Sequence, residues 1–319
     1  MTNLLDPAIL FFVFGVLAGA VRSNLEIPAA VAKFLSLYLL MALGLKGGFA
    51  LAKSGFTPDV ALALGAAVAM AFLVPLLGYA FLRNRVSRLD AAAISAAYGS
   101  VSAVTFVTAM QYVEGQGLAP GGHMAVAMVL MESPAIIMAV LLANRLRHAQ
   151  SSTGAPVSLP HILRESFTDG AHLLLLGAMA VGYLSGEAGQ AAMKPFSGDL
   201  FKGMLAFFLL DMGLLVARNF RDARQASPLL IAYAAGGPVA HAAIALGLSA
   251  LLGLPAADAA LLMVLSASAS YIVVPAVLRY AIPEANPALY FGLSLGVTFP
   301  LNILVGIPVY TSGARALLG

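Results

Sequence analysis

The sequence predicts an all-α integral membrane protein of about ten transmembrane helices, arranged as two inverted five-helix repeats with helices 4 and 9 interrupted. Three observations predict it. Hydrophobic residues make up 61% of the 319-residue chain and charged residues only 10%, against about one in four for a water-solvated protein, so most of its exterior needs lipid as solvent. The apolar residues fall in runs of about 20, the length that crosses a bilayer, between charged or Pro- and Gly-rich interruptions. A segment of the first half then recurs in the second: Asp90, Ser100 and Ser102 fall on Asp258, Ser268 and Ser270, each 168 residues further on.

The expected spans are 7–22, 28–52, 58–82, 90–112, 122–145, 169–186, 197–217, 227–252, 257–280 and 287–311. Residues 1–6 hold no Lys or Arg and include Asp6, which argues for a permanent first span over a cleaved signal peptide. Spans 2 and 7 are interrupted by Lys46-Gly47-Gly48 and Asp211-Met212-Gly213. With no cysteine in the chain, disulfides and thiolate chemistry are excluded. No metal-binding His-Glu-x-x-His, Walker loop or Gly-x-Ser-x-Gly elbow appears, so an enzyme is not expected.

Most of the 17 Lys and Arg lie in loops after odd-numbered spans, which assigns that side to the cytoplasm and both termini to the outside. The pI near 9.2 is therefore read as membrane topology, not as nucleic-acid binding. The chain divides into a first repeat at 1–147, a cytoplasmic linker at 148–166 and a second repeat at 167–319. Flanking matches in the same order, Gly15 with Gly177, Gly44 with Gly213 and Glu132-Ser133-Pro134 with Thr298-Phe299-Pro300, extend the repeat. Five spans per half is an odd number, so the second half enters the membrane from the opposite side. Such inverted repeats characterise secondary transporters.

Span 4 carries Tyr98-Gly99-Ser100-Val101-Ser102 at its centre, and span 9 carries Ser266-Ala267-Ser268-Ala269-Ser270. If the helices break there, unpaired amides at the following half-helix and serine hydroxyls suit a small anion. Freed carbonyls with Thr105 or Thr108 suit a hard cation such as Na⁺. The competing reading is that small residues let helices pack closely. Glu132 and Asp211 are the two carboxylates well inside spans, and such acids are functional candidates by default. Glu132 is a candidate Na⁺ ligand, proton acceptor or counter-charge to Lys46. Asp211 is a candidate partner of Lys46 in an intramembrane charge network, while Lys46 has the alternative of snorkelling to the interface. His241 reads as a core histidine, and Asn302 offers an amide to either type of ion.

The motifs GSVSAVTF at 99–106, SASASYIVVP at 266–275, GVTFPLNI at 296–303 and GLKGG at 44–48 together resemble the sodium-dependent bicarbonate transporters of cyanobacteria and other bacteria, the SbtA type. The resemblance implies a homotrimer of the bacterial inner membrane that imports HCO₃⁻ with Na⁺, its crossed, interrupted helices in a core domain that moves against a scaffold. Carried over, the anion sits between Gly99, Ser100, Val101 and Ser102 on one side and Ser268, Ala269 and Ser270 on the other. Sodium draws on Ser102, Thr105, Ser270, Thr298 and Asn302, with Glu132 nearby. Cyanobacterial members bind a PII-like protein on the cytoplasmic face; whether this chain does is left open. Other readings are Na⁺-coupled uptake of another small anion and a passive anion channel.

Overall fold

A computed structural model describes residues 5–55, 57–149, 170–224 and 226–319. The expected linker at 148–166 falls almost wholly outside the described residues. All regular structure among the described residues is helical: α1 Pro7–Ala20, α2 Ala29–Ser54, α3 Pro58–Leu82, α4 Arg88–Gly99, α5 Ala103–Gly115, α6 Met124–Ala149, α7 Gly170–Met193, α8 Phe201–Arg224, α9 Pro228–Leu252, α10 Ala256–Ala267 and α11 Val273–Ala281. The last helical run, α12, covers Pro287–Leu318 and contains wide π turns at Ser294–Thr298 and Asn302–Gly306.

Among the described residues seven helical runs are long and apolar enough to cross a membrane, and α1 and α10 are shorter apolar helices. One of the seven, Gly170–Phe220, is 51 residues long. If straight it would measure about 76 Å, more than twice the hydrocarbon thickness. It is not straight: Gly186 takes φ +54°, inside α7, and a π turn at Lys194–Asp199 separates α7 from α8. The chain is thus a multi-pass helical membrane protein.

Helix ends follow local chemistry. Asp6 accepts the Ala8 N–H at 2.9 Å ahead of Pro7 and starts α1, as a capping side chain does. Ser87 accepts the Asp90 N–H at 3.0 Å and donates its hydroxyl to the Asp90 carboxylate at 2.7 Å, starting α4. Asp90 then reaches across to accept the Asn286 N–H at 2.7 Å, fixing the approach to α12.

The helices sort into two units. The closest pairings put α1 against α8 and α2 against α7, and this four-helix unit touches the remaining helices far less densely. Close approach needs glycine: a Cβ on Gly213 of α8 would lie 2.8 Å from the Val16 nitrogen and 3.0 Å from Gly15 Cα of α1, and backbones this near are a common membrane solution. In the second unit α3 packs on α4 and α6, and α10 on α5, α9 and the end of α12. Its buried side chains fall in two clusters, one taking α5 and α10, the other α4 and α11. Both helix breaks, 100–102 and 268–272, lie where the clusters meet.

Candidate functional site

Helix α4 stops at Gly99 because Ser100 turns extended, φ −95° and ψ 176°. Ser102 then caps α5, its hydroxyl accepting the Thr105 N–H at 3.2 Å and the Thr105 hydroxyl at 3.0 Å. At the other break Ser268 is extended, φ −80° and ψ 169°. There Ser270 accepts the Val274 N–H at 3.2 Å at the start of α11.

The two breaks hold each other. The Ser102 N–H donates to the Ser268 hydroxyl at 3.0 Å, and the Ser270 N–H donates to the Ala97 carbonyl at 2.8 Å. Backbone groups released by each interruption are thereby satisfied by the opposite segment, the condition for irregular backbone at membrane depth. Gly99 serves the same junction sterically, since a Cβ there would sit 2.6 Å from the Pro75 ring of α3.

A cavity of about 90 Å³ opens at the junction, lined among others by Val101, Ser102, Val104, Glu132, His172 and Ser270. It has room for a few water molecules or a small ion. Ala103, Val104 and Val273, first-turn residues of α5 and α11, also line it. The N–H groups of such positions have no intrahelical acceptor, and the positive ends of two helix dipoles meet there. Two half-helix starts and two capping serines make a concave site with donors for a small anion.

The expected residues are only partly brought together here. Val101, Ser102, Glu132 and Ser270 line the cavity; Gly99, Ser100, Thr105, Ser268, Ala269, Thr298 and Asn302 do not. Ala269 is buried among side chains of the α4 cluster. Thr298, expected on sodium, donates to the Ala234 carbonyl at 2.8 Å and bonds the Tyr98 hydroxyl at 2.7 Å, tying α12 to α9 and α4. Asn302 donates its amide to the Ala267 carbonyl at 2.8 Å and accepts the Tyr310 hydroxyl at 3.2 Å. It therefore satisfies the broken end of α10, and its oxygen is occupied. The Ser100 hydroxyl is buried with no hydrogen-bond partner among the described residues.

The charge network expected between Lys46 and Asp211 is corrected. Lys46 pairs with Glu114 of α5, Nζ to Oε2 at 3.0 Å, and its ammonium lies 4.4 Å from the centre of the Phe201 ring, a favourable cation–π placement. Asp211 makes no ion pair with a described residue and sits half-buried on α8. Glu132 is likewise not the partner of Lys46: its Oε2 shares a hydrogen bond with Nε2 of His172 on α7, in which the imidazole N–H is the donor when Glu132 is ionised. Sequence reasoning missed His172 and Glu114, which lie 40 and 68 positions from their partners. No local spacing signals either pair.

A second buried acid–imidazole pair lies away from the cavity. Asp258, in the first turn of α10, accepts the Gly121 N–H at 2.7 Å and faces His123 Nε2 at 3.2 Å, anchoring the loop between α5 and α6.

A family model described as the Na⁺-dependent bicarbonate transporter superfamily matches residues 7–315, nearly the whole chain. No curated protein matches the chain.

Proposed function

The chain belongs to the Na⁺-dependent bicarbonate transporter superfamily, and from that premise we propose that it imports bicarbonate together with Na⁺ by alternating access. The observation that carries the reading is the cavity at the two mutually bonded helix breaks, capped by Ser102 and Ser270. Membership of a transporter family argues against a catalytic role.

Several features support the finer architecture. Counting the 51-residue run as two crossings and adding α1 and the broken α10–α11 segment brings the spans to ten. Ser102 and Ser270, 168 positions apart, each accept a first-turn N–H of the half-helix after a break. The pairings of α1 with α8 and α2 with α7 exchange under a swap of the two halves, as an inverted repeat requires. The unit of α1, α2, α7 and α8 is the scaffold in this reading, and the unit holding the breaks is the moving core.

Bicarbonate binds at Ser102 and Ser270 and the free first-turn amides, with Gly99, Ser100, Ser268 and Ala269 shaping the break behind them. Sodium takes oxygens around Ser102, Thr105 and Ser270. Thr298 and Asn302, whose hydrogen bonds are committed elsewhere, contribute only if those bonds rearrange. The resemblance adds a homotrimer in a bacterial inner membrane, termini outside, with a PII-like regulator as a cytoplasmic partner to be sought.

The test is uptake of radiolabelled bicarbonate into proteoliposomes under an inward Na⁺ gradient, with K⁺ as control. Accumulation above equilibrium only with Na⁺ is expected. Equilibrating flux that ignores Na⁺ would mean a passive anion channel, and inhibition by larger carboxylates would mean another anion is the substrate.

A further inference from the structure

Glu132 and His172 line the cavity together with the phenol of Tyr271, and Glu132 is the one carboxylate among the described residues there, a group from which an anion carrier gains nothing obvious. Glu132 is 6% exposed and His172 7%. They come from different units, Glu132 from α6 beside α3 and α4, His172 from α7 beside α2. Their hydrogen bond occupies Oε2 of Glu132. Oε1 has no hydrogen-bond partner among the described residues, and a carboxylate oxygen is an acceptor only.

The donors and the acceptor thus lie on one small cavity. On one side stand the Ser102 and Ser270 hydroxyls and the first-turn amides of Ala103, Val104 and Val273; on the other stands a carboxylate whose orientation the imidazole fixes and whose charge the donated N–H partly offsets. Bicarbonate is a planar monoanion with two oxygens that only accept and one hydroxyl that donates. Nitrate has nearly the same size, shape and charge but no proton. A cavity of donors alone would take both, whereas a buried acceptor left unmatched penalises the ion that cannot donate.

We propose that Glu132, oriented by His172, accepts the hydroxyl of the bound substrate and makes the cavity select a protonated oxyanion over an unprotonated one of the same shape. The inference rests on the bicarbonate reading and deepens it. In it Glu132 contacts the substrate and is not a sodium ligand, and His172 is a positioning residue. The separate origins of the two residues also give their contact a place in the cycle, since it joins the two units while substrate is enclosed.

The first arm of the test needs no variant: nitrate competes with labelled bicarbonate for Na⁺-driven uptake into proteoliposomes of the unmodified protein. Nitrate is expected to inhibit at least about tenfold more weakly than unlabelled bicarbonate, the effect of one unmatched buried acceptor. Equal inhibition would overturn the proposal.

The second arm compares Glu132→Gln and His172→Gln, with size-exclusion behaviour in detergent as the folding control. Glu132→Gln, which places an amide donor beside the acceptor, is expected to raise the bicarbonate KM about tenfold and strengthen nitrate inhibition. The Na⁺ concentration for half-maximal uptake should stay unchanged. His172→Gln should move the same two quantities in the same direction by less. A rise in the Na⁺ requirement with bicarbonate KM and nitrate inhibition unchanged would make Glu132 a sodium ligand and overturn the proposal. Absence of bicarbonate uptake by the folded, unmodified protein would reject the bicarbonate reading itself, and the inference with it. Normal uptake without discrimination rejects the inference alone.

Discussion

At the break between α4 and α5, Ser102 caps the next half-helix while the hydroxyl of Ser100, two residues earlier, bonds nothing. At the break between α10 and α11, Ser270 lies two residues ahead of the N-cap position Ile272 and accepts the Val274 N–H from there, while the hydroxyl of Ser268 does two jobs, donating to the Leu265 carbonyl at 2.8 Å and accepting from Ser102. Gly99 meets Pro75 in the first segment, whereas the positions 168 further on are Ala267 and Ala243. Asp90 and Asp258 each hold a loop from the other half of the chain, yet only Asp258 has an imidazole against it. The capping serines are kept alike because both half-helices need their first amides satisfied. The residues around them differ because each break packs against a different neighbour.

The sharpest test of that asymmetry is the Lys46–Glu114 pair, which joins α2 of one unit to α5 of the other. In the registers of the proposed repeat its counterparts in the second half, Leu215 and Ile282, are apolar. Lys46 lies ten residues beyond cavity residue Ser36 on α2, and Glu114 ten beyond Val104 on α5, so the pair stands about 15 Å from the cavity along both helices. Because the chain has no cysteine, the double variant Lys46→Cys with Glu114→Cys carries the only two thiols. Bridging the two thiols with a reducible bis-methanethiosulfonate reagent, which spans the length that the two long side chains cover, is expected to stop uptake, and reduction to restore it. Full uptake with the cross-link formed would show that the two units need not part on this side.

Next in size, Ser102→Ala combined with Ser270→Ala removes both capping hydroxyls from the cavity. Uptake should fall about a hundredfold, the loss of two hydrogen bonds to a charged ligand, with the protein still folded. Ser100→Ala, measured in parallel, should leave uptake near normal. Equal losses in both would mean that the breaks act as a whole and not through their caps.

Gly99→Ala probes packing. The added methyl meets the Pro75 ring, and overpacking of this kind costs about 1–3 kcal/mol, seen as a lowered Tm in detergent. The smallest effect separates the two inner serines: Ser268→Ala should cost about 1 kcal/mol for its lost hydrogen bonds, and Ser100→Ala close to nothing. A reversed order in thermal unfolding would contradict the wiring described above.

Much of this arrangement was legible in the residues. The spans lay close to the helices because a 20-residue apolar run has few alternatives in lipid, and the breaks fell at 100–102 and 268–272 where Gly and Ser cluster. Ser102 and Ser270, expected at an ion site from their repeat spacing, both line the cavity. Asn302 and Thr298 were placed with sodium by the family resemblance; in the packed structure they donate to the Ala267 and Ala234 carbonyls.

The sequence by itself determined the apolar, helical membrane class, the two interruption points and the family, because composition, run length and the order of the motifs are properties of the chain read in order. Only the tertiary structure decided who pairs with whom. Lys46 went to Glu114 and Glu132 to His172, neither partner foreseen, because a charge partly or wholly withdrawn from water takes the nearest group that can satisfy it. Nearness across 40 or 68 residues is set by how helices pack.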